Sequence, residues 1–146
     1  NTSMIDSSMM INVRMPDYCV ERAGKILNRF KKALNGSKIV ILGVAYKQDI
    51  DDYRESPAIR VIEILEREGA KVSYYDPWIA EYKSCGKTMR GLKEIDPEII
   101  RGYDLIMVTA AHSNVDYGMV QENARFIFDT KNVMKGILKR ENIEVL

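Results

Sequence analysis

A short apolar run followed at once by a glycine constrains the fold of this chain most. The run Ile39–Leu42 is unbroken and mostly β-branched, which is typical of a strand buried on both faces of a parallel sheet. Gly43 permits a sharp turn, and Ser56-Pro57 is a strong helix start, because serine caps backbone N–H groups and proline suits the first turn. A second strand is predicted at 71–75. Strand, helix and strand at this spacing indicate a right-handed βαβ unit.

The rest of the chain extends this unit into an α/β fold with a three-layer, Rossmann-like open parallel sheet and helices on both faces. Polar loops follow the first, third and fourth predicted strands, so we expect these strands to be neighbours and predict the sheet order 2-1-3-4-5. Further strands are predicted at 103–108, 125–128 and 143–146, a short edge strand around 88–90, and helices at 57–67, 96–101, 117–123 and 135–140.

The N-terminal region is predicted to divide near residue 16. Residues 1–15 are rich in Ser and Met without a clear period, and we interpret them as a flexible N-terminal segment or as the remnant of an upstream element. Pro16-Asp17 is predicted to open an amphipathic helix that ends at Asn35-Gly36. Residues 16–146 are therefore expected to form one domain. A first residue other than Met fits a piece of a longer chain.

Composition excludes several classes of protein. The 146 residues carry 22 Lys+Arg against 21 Asp+Glu, which argues against a general nucleic-acid binder. No apolar run approaches the length of about 20 residues that a membrane span requires, and no signal peptide is evident. Cys19 and Cys85 lie far apart, as expected of reduced thiols in a cytoplasmic protein, and one histidine without a Cys/His cluster predicts no metal site.

Two cations stand in the charged loop between the first strand and the following helix. Lys47 offers a point charge and Arg54 a planar fork, and together they could bind phosphate at the carboxyl end of the sheet. The alternative is that both only neutralise the acidic residues of the same loop. The residues themselves leave both interpretations open.

The same loop carries a resemblance to a known family. Residues 43–57 read G-V-A-Y-K-Q-D-I-D-D-Y-R-E-S-P, and this ordered set resembles the signature of the UDP-glucose/GDP-mannose dehydrogenase family in its C-terminal, UDP-binding domain. The resemblance covers roughly residues 12–140. It implies part of an NAD-dependent nucleotide-sugar dehydrogenase of polysaccharide biosynthesis, which oxidises the C6 alcohol of a UDP-sugar to the carboxylate. The weak T-A-A-H string at 109–112 favours UDP-N-acetyl-D-mannosamine or its glucosamine epimer, with UDP-glucose next.

The resemblance also implies roles for individual residues. Tyr46 and Lys47 are expected to bind the nucleotide-sugar substrate, and Arg54 to reach the NAD side. Residues 129–132 resemble a late family segment whose arginine contacts substrate. Lys131 stands at that position, so we expect a substrate contact without a bidentate fork.

The chemistry itself is expected to lie elsewhere in the parent enzyme. Neither Cys19 nor Cys85 stands in the family's glycine- and proline-flanked cysteine motif, so no catalytic residue is predicted here. No G-x-G-x-x-G follows a strand, so NAD should be bound mainly by an N-terminal domain that this chain lacks. The expected partners are the UDP-sugar, the N-terminal and central domains and, in the parent enzyme, further copies, but neither nucleic acid nor membrane. The isolated chain should be inactive.

Two further polar residues, His112 and Asp129, follow predicted strands. His112 has no carboxylate paired with it in sequence, so a structural or substrate-contact role is preferred over a general base. Asp129 is expected to order the turn after its strand.

The alternatives to a dehydrogenase domain are a stand-alone nucleotide-binding or regulatory module with a flavodoxin-like fold and a purely structural assembly domain, in which the charged loop makes salt bridges between subunits.

Overall fold

A computed structural model describes the backbone of residues 2–45, 49, 52–54 and 56–146 and the side chains of residues 14–45, 49, 52–54 and 56–146. Its elements are α1 (Thr2–Arg29), β1 (Lys38–Leu42), α2 (Pro57–Arg67), β2 (Lys71–Tyr75), β3 (Glu81–Ser84), β4 (Lys87–Arg90), α3 (Pro97–Arg101), β5 (Leu105–Val108), α4 (Tyr117–Asn123), β6 (Ile127–Asp129) and β7 (Ile143–Val145).

Parallel pairing joins five of the strands into one sheet in the order β2-β1-β5-β6-β7. When only the strands of this sheet are numbered, the order is the predicted 2-1-3-4-5, and the Rossmann-like α/β class is confirmed. Strands β3 and β4 form a separate antiparallel hairpin, of which the sequence predicted only an edge strand around 88–90.

The central strand β1 explains the three layers. Its side chains alternate: Ile39 and Ile41 enter a core with apolar residues of α1 and α2, whereas Val40 and Leu42 enter a second core with residues of α3 and α4. All of them are at most 1% exposed. Burial on both faces is why this run is apolar without interruption, and each such side chain contributes about 1.5–3 kcal/mol.

The strand register brings the polar loops to one edge. Leu42 is aligned with Tyr75 of β2 on one side and with Val108 of β5 on the other, and Val108 is aligned in turn with Asp129 of β6. Because the strands are parallel, the loops after β1, β2, β5 and β6 all emerge at this carboxyl edge, where ligands of open α/β sheets bind.

The predicted limits of the first helix are wrong. Helix α1 begins at Thr2 instead of Pro16 and ends at Arg29 instead of Asn35-Gly36. Residues 2–15 contain no glycine or proline to stop a helix, and one internal proline costs a hydrogen bond without ending it. At the other end, Lys31 adopts φ +62°, a left-handed conformation that terminates the helical path.

The helix predicted at 135–140 is also wrong, because the chain forms turns up to Gly136 and irregular backbone after it. Gly136 lowers the helix propensity of so short a segment, and the Arg140 side chain donates to the carbonyls of Met134 and Ile137 at 2.6 and 3.4 Å. No helix formed by the described residues has both the length and the apolar character needed to cross a bilayer.

Candidate functional site at the carboxyl edge of the sheet

A buried carboxylate holds the turn after β1. Asp76 follows β2, and its Oδ2 accepts the N–H of Val44 at 2.8 Å and of Ala45 at 3.0 Å. Its Oδ1 accepts the N–H of Trp78 at 2.8 Å. His112, which follows β5, contacts the same Oδ2 through Nε2 at 2.8 Å. The side chain of Asp76 is fully buried, so these groups replace the water that an ionised carboxylate requires.

The imidazole of His112 continues this arrangement to the loop after β1. Its Nδ1 accepts the N–H of Asp49 at 2.7 Å, and the side chain is 1% exposed. The Asp49 carboxylate accepts the N–H and the hydroxyl of Ser113, each at 2.9 Å. The bonds from Ser113, first that of its backbone, hold the pKa of the Asp49 carboxyl below its ordinary value. The loops after β1, β2 and β5 are therefore joined by charge-assisted hydrogen bonds.

Close packing fixes the same turn against β5. Gly43 has φ +98°, and a Cβ added there would lie 2.4 Å from the Cβ of Ala110. The hydroxyl of Thr109 donates to the Leu42 carbonyl at 3.3 Å. The backbone N–H of Thr130 at the end of β6 donates to the Val108 carbonyl at 3.1 Å. The glycine predicted to turn the chain is thus needed for the approach of two protein segments.

The turn after β1 does not fit a primary dinucleotide site. In such sites the backbone N–H groups at the strand-to-helix turn bind the pyrophosphate. Here the N–H groups of Val44 and Ala45 already donate to Asp76, a carboxylate from the chain itself. These two N–H groups are therefore not available to a pyrophosphate.

Arg54 lies at the edge of this region, before α2. Its Nε and Nη2 donate to the two carboxylate oxygens of Asp52 at 3.1 and 3.2 Å, and its side chain is 85% exposed. An exposed pair of this kind contributes little to stability, so a phosphate can compete for the fork. Ser56 caps α2, as predicted, by accepting the Ala58 N–H at 3.2 Å. A groove of about 420 Å³, lined by Arg54, Arg60 and Lys83 among others, continues toward β3.

Lys131 lies elsewhere along the carboxyl edge. It is exposed after β6, two strands from β1, whereas Arg54 lines the groove toward the β3–β4 hairpin. Asp129 is buried and accepts the N–H of Lys131 at 3.1 Å and of Met134 at 2.9 Å, which confirms that it orders this turn. The remaining predicted binding residues, Tyr46 and Lys47, lie outside the described residues.

Neither cysteine gains a reactive setting. Cys19 is buried in α1, and burial raises the pKa of its thiol, which disfavours the nucleophilic thiolate. Cys85 is exposed, and its Sγ lies 3.9 Å from the Glu63 carboxylate. In the part of the chain that the structure describes, no cluster of His, Cys, Asp and Glu has the size of a metal-ligand set.

The pairing of Asp76 with His112 was not predicted from the sequence. The sequence alone offers His112 no carboxylate partner. A signal did exist, because both residues lie in loops that follow strands flanking β1 in the predicted order. Parallel neighbours of one strand place their following residues at one edge, within reach of its turn.

Comparison with known proteins identifies the family. Residues 40–136 match the UDP binding domain of the UDP-glucose/GDP-mannose dehydrogenase family. A UDP-N-acetyl-D-mannosamine dehydrogenase from Methanocaldococcus jannaschii is 32% identical over 154 aligned residues, which cover 99% of this chain and 33% of the relative. The chain thus spans about a third of the length of the relatives it matches.

Solved structures agree with this result. A UDP-D-ManNAc dehydrogenase from Pyrococcus horikoshii superposes with a TM-score of 0.75 at 26% identity, over 93% of this chain and 31% of that one. The UDP-N-acetyl-mannosamine dehydrogenase Cap5O from Staphylococcus aureus gives 0.73 at 28% identity, over 99% of this chain and 34% of its own. The family resemblance of the charged loop is thereby confirmed. This chain belongs to the UDP-glucose/GDP-mannose dehydrogenase family and carries its UDP binding domain.

Proposed function

We propose that this chain is the substrate-binding domain of a longer NAD-dependent dehydrogenase that oxidises the C6 alcohol of a UDP-sugar to the carboxylate. The favoured substrate is UDP-N-acetyl-D-mannosamine, the sugar nucleotide named in the relatives from Methanocaldococcus jannaschii and Staphylococcus aureus. The observation that carries the proposal is the family match over residues 40–136, which spans all of the carboxyl-edge loops described above.

Residues at the carboxyl edge would bind the nucleotide. In this proposal Tyr46 and Lys47 bind the UDP-sugar, Lys131 adds a second cationic contact from the end of β6, and Arg54 faces the NAD side. The exposure of Lys131 and Arg54 supports such roles, because a phosphate needs reachable donors. NAD supplies hydride acceptance when bound, and a domain outside this chain would hold most of it. The free thiols of both cysteines favour a cytoplasmic location.

Titration of the 146-residue chain with UDP, followed by amide NMR, tests the binding role. We expect shifts at residues 43–56, 109–113 and 129–132. Lys47→Ala should weaken binding about ten- to a hundredfold, because a charge-assisted hydrogen bond is lost. Lys71→Ala removes the same charge at the N-terminal end of β2, on the opposite edge of the sheet, and should bind like the wild type. Equal loss in both variants would contradict the site.

Three further variants test Lys131 and Arg54. Lys131→Arg supplies the planar fork found at this position in the family pattern, and should bind UDP at least as tightly as the wild type, whereas Lys131→Ala should bind more weakly. Arg54→Ala in the parent enzyme should raise the KM for NAD and leave the KM for UDP-sugar unchanged. The reverse pattern would assign Arg54 to the substrate instead.

A further inference from the structure

The buried pair formed by Asp76 and His112 holds the backbone on both sides of positions 46–48. Before this segment, Asp76 Oδ2 accepts the N–H groups of Val44 and Ala45 at 2.8 and 3.0 Å. After it, His112 Nδ1 accepts the N–H of Asp49 at 2.7 Å. The 2.8 Å contact between Asp76 Oδ2 and His112 Nε2 joins the two anchors.

The protonation state of the imidazole follows from its partners. A backbone N–H can only donate, so the Nδ1 that faces Asp49 must be unprotonated. The proton of the neutral ring is therefore on Nε2, where the Asp76 carboxylate accepts it. At 1% exposure, the His112 side chain leaves almost no room for water to replace either bond.

A strained backbone conformation shows why the second anchor matters. Asp49 adopts φ +57°, in the left-handed region that residues other than glycine rarely occupy. Three hydrogen bonds hold it there: its N–H to His112, and its carboxylate from the N–H and hydroxyl of Ser113. Loss of the His112 acceptor would remove the bond that fixes the backbone of residue 49 itself.

We propose that His112 and Asp76 are positioning residues for nucleotide binding, because they fix residues 45 and 49, the described neighbours of the segment that contains Lys47. This inference rests on the proposed function. His112 touches no ligand in this scheme and acts only through the loop that it holds. The residue whose sequence context showed no partner thereby acquires a defined part in substrate recognition.

Protonation of His112 would reverse one of its roles. With a proton on Nδ1, the ring would present a donor to the N–H of Asp49, and that bond would be lost. Among the described residues, the titratable groups next to His112 are Asp76 after β2 and Asp49 after β1, which face the ring, and Tyr117 on α4, whose phenol donates to the His112 carbonyl at 3.0 Å. Burial raises the pKa of Tyr117, so its phenol stays protonated. UDP affinity should therefore fall as the imidazole becomes charged.

Ring NMR of the 146-residue chain tests this directly, since the chain contains a single histidine. Ring nitrogen shifts report the tautomer and the protonation of His112, and UDP titrations at the same pH values report affinity. We expect a neutral ring with the proton on Nε2, and a dissociation constant for UDP that rises in step with ring protonation. A Kd that stays constant while the ring is protonated would overturn the inference.

A pair of amide variants identifies which ring nitrogen matters. His112→Asn places an oxygen near the position of Nδ1 and can still accept from Asp49. His112→Gln places its amide near the position of Nε2, where it can serve Asp76 but not Asp49. We expect His112→Gln to bind UDP about five- to tenfold more weakly than His112→Asn, the equivalent of one lost hydrogen bond. Both variants should lack the component of the pH dependence that follows the ring.

The phosphate of UDP also titrates and contributes to the pH dependence of binding. Because this contribution is the same for the wild type and for both His112 variants, the variants serve to subtract it. Hydrogen exchange of the Asp49 amide, compared with that of Met107 in β5, checks that the effect is local and not unfolding. Equal UDP affinity in two folded variants, with wild-type pH dependence in both, would overturn the positioning role.

These experiments distinguish a failure of the proposed UDP-binding function from a failure of the positioning role alone. A folded wild type that binds no UDP at millimolar concentration overturns the proposed binding function, and the positioning role with it. A wild type whose binding is lost in Lys47→Ala but is indifferent to the state of His112 overturns the positioning role alone.

Discussion

Two buried aspartates at the carboxyl edge of the sheet accept hydrogen bonds from different parts of the chain. Asp129, at the end of β6, accepts the backbone N–H groups of Lys131, Val133 and Met134 at 2.9–3.2 Å, all within five residues of itself. Asp76, after β2, accepts the nearby Trp78 N–H, but its other three partners lie 31–36 residues away. Both are almost fully buried, at 0% and 5% exposure. Burial alone therefore does not distinguish them.

The difference lies in what each carboxylate holds together. Asp129 closes one turn, and its partners would stay near it in any compact conformation of that segment. Asp76 joins the turn after β1 to His112 after β5, so it depends on the correct pairing of three strands. A carboxylate with distant partners should matter for the cooperativity of the whole domain, whereas one with local partners should matter for a loop.

Removal of each carboxylate should give the largest effects and tests this comparison directly. Asp76→Ala leaves the N–H groups of Val44, Ala45 and Trp78 and the Nε2 of His112 without an acceptor, and should lower the free energy of unfolding by about 3–5 kcal/mol. Asp129→Ala should lower it by about 2–3 kcal/mol, because its turn can open locally toward water. Urea unfolding measures both.

A half-buried helix cap gives a reference value for these losses. Asp96 accepts the Ile99 N–H at the start of α3, and Asp96→Ala should cost about 1 kcal/mol. If Asp129→Ala proves as costly as Asp76→Ala, the distance of the partners along the chain does not decide the cost.

The same comparison shows what could be read from the sequence. The turn order imposed by Asp129 was predicted correctly, because its donors are sequence neighbours. The strand order was predicted as well, since apolar runs and polar strand ends suffice for it. The bond between Asp76 and His112 needs the strand register at atomic precision, and no local pattern encodes that.

The errors have related physical causes. The helix start at Pro16 followed a local propensity rule, but residues 2–15 form helix despite it, and one proline does not end a helix that both sides favour. The helix expected at 135–140 was too short to overcome its nucleation cost. The ligand roles of Tyr46 and Lys47 stay predictions, as do those of Arg54 and Lys131.

Alanine at Gly43 sharpens the comparison at the turn that Asp76 holds. The added Cβ would meet the Cβ and N of Ala110 at 2.4 and 2.8 Å, and φ is +98°. Gly36 has a similar φ of +87° but no atom within 4 Å of the added Cβ. Both substitutions incur about 1 kcal/mol of backbone strain, and Gly43→Ala adds about 1–3 kcal/mol of overpacking. Equal urea midpoints for Gly43→Ala and Gly36→Ala would mean that the loops after β1 and β5 can move apart to admit the added methyl group without a loss of stability.

Asn132 offers a smaller test on the side of Asp129. Its φ of +55° lies in the left-handed region, where asparagine is tolerated and alanine is not. Asn132→Ala should lower the free energy of unfolding by about 1 kcal/mol, whereas Asn132→Gly should be nearly neutral. Thermal unfolding of the two variants gives the comparison. Destabilisation by glycine as large as that by alanine would show that the asparagine side chain, not the backbone angle, stabilises the turn.

A third carboxylate separates distance from burial. Glu144 in β7 accepts from Arg22 at 2.9 Å and from Arg29 at 2.5 Å, partners 122 and 115 residues away, but its side chain is 26% exposed. Desolvation raises the pKa of the Glu144 carboxyl, and the hydrogen bonds from both arginines outweigh that effect, so the pKa lies below its ordinary value of 4.5. Its contribution to stability is therefore present above pH 4.5 and is lost as the pH falls through the lowered folded value.

Glu144→Gln should accordingly cost only about 1 kcal/mol at neutral pH, because water screens the pair, and should flatten the acid limb of the stability curve below about pH 4.5. Urea unfolding at several pH values measures both effects, and Glu141→Gln, at a nearby exposed site, controls for the lost charge. If Glu144→Gln were as costly as Asp76→Ala, distance along the chain would set the cost whatever the burial. The expected small loss would instead mean that distant partners contribute strongly to stability only when they are buried, because water then cannot replace the lost carboxylate as a hydrogen-bond partner.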